Sequence, residues 1–234
     1  MNSTTNQATK AVRTPSRGTI FLLDNQDSFA YNLVDELAQL GFELTVYRNH
    51  LSAEFIYSQI IKVSANQPVL LCLSPGPGHP ENAGCLLELL ALCAGKLPIL
   101  GICLGFQAII HQAGGRVGPS VEVMHGKTSA MHFQPHAIFH ATGAAALPNP
   151  LQVARYHSLQ AFDVPATLDI LAHVDAIPMV VYDAKNRCLG FQFHPESIMT
   201  TFGSQLLKNS IEFLLAPVTS IRITSQGVPL TCNF

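Results

Sequence analysis

Nowhere in these 234 residues is there a basic block, a CxxC pair or an unbroken apolar run long enough for a bilayer. Thirteen Lys plus Arg stand against fifteen Asp plus Glu, for a formal charge of -2. Without a cluster of cations to neutralise phosphates, nucleic acid is not an expected partner. Cys72, Cys85, Cys93, Cys103, Cys188 and Cys232 occur singly. That spacing argues against a disulfide scaffold and against a metal site, and it suits a reducing, cytoplasmic compartment. Leu97 to Gly115 holds no Asp, Glu, Lys or Arg, but Pro98, Gly101, Gly105, Gln107, His111, Gln112 and Gly114 interrupt it. No membrane span is predicted. Charged residues are scarce throughout, at 12%, so part of the surface is expected to be apolar and available to another protein.

Internal repeats, low-complexity blocks and separating linkers are missing as well, and a 48% hydrophobic composition fits one compact domain. Met1 to Gly18 contains no acidic residue, carries Lys10, Arg13 and Arg17, and is rich in Ser and Thr. It lacks the apolar centre of a secretory signal, so the reading is a disordered extension, with an organelle transit peptide as the alternative. The domain proper is placed at 19–216, and the tail 217–234 is left unassigned.

Within that domain, Thr19 to Leu23, Leu44 to Tyr47, Val69 to Ser74 and Pro98 to Ile102 are short apolar runs bounded by turn residues. They predict buried parallel strands. Phe29, Leu33, Leu37 and Leu40 fall on one helical face that stops at Gly41. Further helices are predicted over Leu51 to Val63, Asn82 to Ala94, Leu104 to Ala113 and Gln205 to Leu215. From Val117 the pattern turns to β-like segments: Ser129 to Phe133, Ala137 to Ala141, Val153 to His157, Ile170 to Val174, Met179 to Asp183 and Leu189 to Phe193. The expected fold is therefore α/β, a central mixed and mostly parallel sheet flanked by helices, with additional antiparallel strands.

Three local patterns carry chemistry. Gly101-Ile102-Cys103-Leu104-Gly105 follows a strand and opens a helix, the form of a nucleophile elbow with Cys in place of Ser. Glycines on both sides allow a tight turn that exposes the central side chain, and the helix N-terminus favours negative charge on it. A buried structural cysteine is the alternative. His194-Pro195-Glu196 ends a predicted strand, where the carboxylate can orient the imidazole from behind; a His-Pro turn with a capping Glu is equally open. Ser74-Pro75-Gly76-Pro77-Gly78-His79-Pro80 makes a stiff loop whose N–H groups can approach a ligand. No Lys-Ser/Thr follows it, so it is not a Walker loop, and it can also be simply a tight turn.

Taken together, LSPGPG at Leu73 to Gly78, GICLGFQ at Gly101 to Gln107 and GFQFHPES at Gly190 to Ser197 resemble the three signatures of the class I glutamine amidotransferases. Asp24-Asn25-Gln26-Asp27-Ser28-Phe29, His125-Gly126-Lys127 and Arg155-Tyr156-His157-Ser158-Leu159 narrow the resemblance to the glutaminase subunits of anthranilate synthase and aminodeoxychorismate synthase, with GFQFHPESIMTT leaning towards the first. The resemblance implies Cys103 as nucleophile, His194 as acid/base and Glu196 as third triad member. It implies oxyanion donors at the N–H groups of Gly78 and Leu104, and a glutamine site at Gly76, Pro77, Gln107, Ser158 and Leu159. His125, Gly126 and Lys127 are expected to face a chorismate-binding synthase subunit. This chain is expected to need no cofactor, while the partner subunit needs Mg2+. A catalytically silent subunit and a hydrolase acting alone are the rival readings; an intact triad speaks against the one, the PGPG loop and DNQDSF opening against the other.

Overall fold

The computed structural model describes residues 17–28, 30–120, 124, 126–140 and 146–217. Strands β1 (Thr19–Asp24), β2 (Glu43–Arg48), β3 (Val69–Leu73) and β4 (Ile99–Ile102) alternate with helices α1 (Ala30–Gln39), α2 (Ala53–Ser64) and α3 (Leu86–Cys93), and α4 (Leu104–Gln112) follows β4. The second half supplies β5 (Arg116–Pro119), β6 (Lys127–Phe133), β7 (Leu151–Arg155), β8 (Leu159–Phe162), β9 (Asp169–Val174), β10 (Ile177–Asp183), β11 (Cys188–Phe191) and α5 (Gly203–Leu215). Nine strands form one sheet in the order β2-β1-β3-β4-β11-β10-β9-β6-β7, and β5 pairs with β8 apart from it. The run from β2 to β11 is parallel, and from β10 onward every pairing is antiparallel.

Parallel strands buried on both faces read as continuous apolar runs, and β1 shows why. Ile20 and Leu22 point into a layer with Leu33 and Leu37 of α1 and Leu206 and Leu207 of α5. Phe21 and Leu23 point the other way, into a layer with Ile56 and Ile60 of α2 and Leu86 and Leu89 of α3. At about 1.5–3 kcal/mol per fully buried aliphatic side chain, these two layers give the scaffold room to hold strained and poorly paired groups at its edge. Helix α2 begins where the Ser52 hydroxyl accepts from the Phe55 N–H at 3.1 Å, a side-chain N-cap.

Several predicted segments differ. Ala137–Phe139 is a 3-10 turn, not a strand: Ile138 and Phe139 are both buried, the Phe139 ring stacks on Phe133 at 4.1 Å, and Asn209 of α5 donates to the Ile138 carbonyl. The predicted helix at Asn82 to Ala94 splits into a 3-10 turn at Pro80–Asn82 and α3, because Gly84 takes a positive φ of 58° where the Asn49 carbonyl packs against it. Strand β11 ends at Phe191, two residues before the predicted end at Phe193. Arg17 and Gly18, assigned to the N-terminal extension, are tied to the domain: Arg17 pairs with Glu212 at 2.7 Å, and the Gly18 carbonyl accepts from Glu43. The rest of that extension, Phe29 of the α1 face, His125 and the tail beyond 217 lie outside the described residues.

Cys103 hangs from the junction of β4 and α4, and this junction touches β3 directly. A Cβ on Gly105 would fall on the Leu73 carbonyl. Gly105→Ala should therefore cost about 1–3 kcal/mol through overpacking, read as a lower urea midpoint with an unchanged slope; a wild-type midpoint would contradict the close approach.

Candidate active site

The carboxyl ends of β1, β3, β4 and β11 lie side by side in the sheet, the edge at which parallel α/β sheets place ligands. From these ends emerge the Asn25 to Ser28 turn, the PGPG loop, Cys103 and the His194-Pro195-Glu196 segment. The loop is fastened to the neighbouring strand end: the Asn25 N–H donates to Ser74 Oγ at 2.9 Å, and Asn25 Nδ2 donates to the Ser74 carbonyl at 3.0 Å.

Cys103 sits at φ 52° and ψ -95°, a left-handed backbone that a residue with a Cβ adopts only under constraint. The constraint is visible on both sides. Its N–H donates to the Phe191 carbonyl at 2.7 Å, and its carbonyl accepts from Gln107 N–H at 3.0 Å. A Cβ on Gly101 would lie 2.5 Å from the Gly105 carbonyl carbon, so only glycine lets strand and helix close around the turn. The first N–H groups of α4, Leu104 among them, have no acceptor within the helix, and Cys103 is the residue that caps it. Elbow geometry predicts an exposed side chain, whereas Cys103 is 8% exposed; it forms the floor of a cavity.

His194 and Glu196 are buried together, with Nδ1 2.7 Å from Oε1. Thr200 anchors the segment, its hydroxyl donating to the His194 carbonyl at 2.7 Å. Burial pulls the imidazole pKa down, but hydrogen bonds to Cys103 and Glu196 and the charges on both outweigh it, and the pKa is raised to about 10. With Nδ1 committed to Glu196, Nε2 is left for the sulfur. The other described thiols are unsuited to attack: burial pushes Cys93 and Cys188 up to about 12 and also raises Cys72 and Cys85. Cys232 lies outside the described residues.

The cavity above Cys103 measures about 310 Å³ and is lined by Gly76, Pro77, Gly78, Gln107, Ser158, Leu159 and His194. Gly78 lines this cavity at a φ of 76°, and nothing lies within 4 Å of where its Cβ would be. Leu104 contributes its backbone position at the start of α4, with its side chain packed against the PGPG loop: a Cβ on Gly76 would lie 2.5 Å from Leu104 Cδ2. Glu196 stands behind His194 and borders a neighbouring groove of about 570 Å³ between α1 and the 195–201 segment. Of the segment expected to face a partner, Gly126 packs against the Tyr156 ring and Lys127 begins β6.

Sequence reasoning gave no role to Gln192, Asp27, Ser28, Tyr156 or His157. Gln192 is fully buried, donates to Cys103 Sγ at 3.8 Å and accepts from Gln107 Nε2 at 3.3 Å. A lone amide inside the run LGFQF was the available signal. Tyr156 borders both cavity and groove, and its ring meets His194 edge-on at 5.1 Å. Among the described residues no group of three or more His, Cys, Asp or Glu could hold a metal ion.

Comparison with known proteins agrees with this layout. The family model described as glutamine amidotransferase class-I matches residues 21–213. The chain is 50% identical to anthranilate synthase component 2 of Vibrio parahaemolyticus over 196 residues, covering 84% of this chain and 96% of that protein. It is 49% identical to a pyocyanine-specific anthranilate synthase component 2 of Pseudomonas aeruginosa, covering 82% and 92%, and 43% identical to that component in Helicobacter pylori, covering 83% and 97%. In fold it resembles a solved Thermotoga maritima glutamine amidotransferase, with a TM-score of 0.61 at 14% identity, covering 87% of this chain and 100% of that one.

Glu196→Gln removes a charge and weakens a hydrogen bond that hold the His194 pKa up, so that pKa should fall from about 10. Because the imidazolium gains these partners on folding, its stabilising contribution is complete below the unfolded value of 6.5 and is lost as pH rises through about 10. Ring-carbon NMR should show the lower titration in the variant, and urea unfolding should lose part of its decline across that window. An unchanged His194 titration would remove Glu196 from this role.

Proposed function

This chain belongs to the class I glutamine amidotransferases, and we propose that it acts as the glutaminase subunit of an anthranilate synthase, releasing ammonia from L-glutamine for a separate chorismate-binding synthase subunit. The observation that carries this reading is the meeting of Cys103, His194 and Gly78 at one cavity, with Glu196 behind the imidazole. The relatives named as component 2 support a partner subunit.

The chemistry follows from the geometry. Cys103 Sγ attacks the carboxamide carbon of glutamine, and the carbonyl electron pair moves onto oxygen. The N–H groups of Gly78 and Leu104 receive that oxyanion, each donor supplying about 3 kcal/mol of transition-state stabilisation. His194 gives its proton to the leaving nitrogen, ammonia departs, and a glutamyl thioester remains on Cys103. His194 then takes a proton from water, hydroxide adds to the thioester, and glutamate leaves as the thiolate is restored. No step requires a cofactor in this chain; Mg2+ belongs with chorismate in the partner. The proposed site of action is the cytoplasm, and no helix among the described residues is long and apolar enough to cross a membrane.

Cys103→Ser should abolish glutamine-dependent anthranilate formation by the reconstituted complex and leave the ammonia-dependent reaction intact; normal glutamine use by the variant would refute the assignment. Lys127→Glu, at the exposed start of β6, should weaken binding to the synthase subunit at least several-fold in titration calorimetry, and equal affinity would detach this segment from the interface.

A further inference from the structure

Arg155 closes β7 and is only 2% exposed. A guanidinium taken out of water needs fixed hydrogen-bond acceptors to stay there. Its Nη1 donates to Ser129 Oγ at 3.3 Å, and its Nε donates to His157 Nε2 at 3.1 Å. An Nε2 that accepts carries no proton, so the ring proton lies on Nδ1 and is donated to the Leu159 carbonyl at 2.8 Å. That carbonyl also accepts from Gln107 Nε2 at 3.3 Å, and Gln107 leads through Gln192 to Cys103 Sγ. A polar chain therefore runs from Arg155 beneath the substrate cavity to the nucleophile.

We infer that Arg155 is a positioning residue for the glutamine site, acting through a neutral His157 that pins the Ser158-Leu159 turn against which the substrate lies. The inference rests on the amidotransferase reading above. The side chain of Arg155 does not line the cavity, while His157, Ser158 and Leu159 do. The chemistry of the pair explains why a cation occupies the interior here. A protonated His157 would aim an N–H at the guanidinium and lose its acceptor, so Arg155 admits one tautomer alone. Burial first, and then the Arg155 charge, lower the His157 pKa to about 4, with His194 adding to the effect and the Leu159 hydrogen bond opposing it. Across the cavity, Asp27, Cys103 and Tyr156 are the remaining titratable side chains that face this region among the described residues. His157 thus stays neutral through the range in which an ordinary histidine titrates, and the turn keeps one shape.

The test uses the full chain and two reagents. 6-Diazo-5-oxo-L-norleucine requires the glutamine site to label the nucleophile, whereas iodoacetamide does not. In wild type, the KI for the diazo reagent should be flat from about pH 8 to about pH 5.5. In Arg155→Met, burial still holds the His157 pKa down but the Arg155 charge no longer adds to it, so His157 begins to protonate at the acid end of that interval and KI should rise there by at least about twofold, with the iodoacetamide profile of Cys103 unchanged. Arg155→Met/His157→Gln should lose this pH dependence, since glutamine cannot titrate. A flat KI in Arg155→Met, or a pH dependence that survives in the double variant, would overturn the inference. If Arg155→Met fails to fold by its melting profile, His157→Gln carries the test: KI several-fold higher with an unchanged limiting labelling rate supports the role, and a wild-type KI overturns it. Failure of wild type to label at Cys103 would instead refute the amidotransferase reading itself.

Discussion

The left-handed backbone of Cys103 sets what the surrounding chain must do. At φ 52°, the turn from β4 into α4 is too tight for side chains at its flanks, so positions 101 and 105 are glycine, packed against each other and against Leu73 of β3. It also requires an anchor on the far side, which the Phe191 carbonyl of β11 supplies. Because β3, β4 and β11 are consecutive in the sheet, the same arrangement that holds the turn delivers the PGPG loop from β3 and His194 from beyond β11 to the same cavity. Conformational strain of order 1–3 kcal/mol at such a residue is small beside the two apolar layers that enclose the sheet.

Electrostatics then separates one sulfur from the rest. Cys72, Cys85, Cys93 and Cys188 lie in apolar surroundings that raise their pKa values and hold them as thiols. Cys103 is nearly as buried, yet it meets an imidazole whose other nitrogen is held by a carboxylate and an amide from Gln192. Glu196 keeps its second oxygen, Oε2, buried without a hydrogen bond, a cost of about 1–3 kcal/mol or more for a charged group. Its other oxygen, Oε1, stands 2.7 Å from the His194 ring nitrogen, and the pKa of that imidazole is raised to about 10. The pair is thus selected for what it does to the imidazole, since a well-packed apolar pair would serve stability as well.

Much of this was legible in the sequence, because it is local. Strands covered on both faces announce themselves as apolar runs, as β1, β3 and β4 do; β2, predicted to be buried, is instead the edge strand and leaves Val46 exposed, although all four lie within a residue of where the runs place them. The GICLG, PGPG and HPE segments each carry their backbone chemistry in adjacent letters, and the structure brings all three to one cavity. Less legible was anything decided by partners far along the chain. Ala137 to Ala141 has the composition of a strand, but α5 and Phe133 bury it as a turn. Strands β5 and β8 stand apart because they pair with each other, 40 or more positions distant, as Arg116 with Phe162 shows. Gln192 and His157 gain meaning only from what they touch, Cys103 in one case and Arg155 in the other.

Covalent capture at one sulfur is the claim on which the account stands. The direct measurement is acid quenching of the chain, bound to its synthase subunit, within milliseconds of mixing with glutamine, followed by peptide mass spectrometry. The account predicts a glutamyl group on the peptide bearing Cys103, formed before steady-state glutamate release and decaying as glutamine is exhausted. Glutamate release with no such adduct under trapping conditions that preserve a thioester, or an adduct carried by another cysteine, would contradict it.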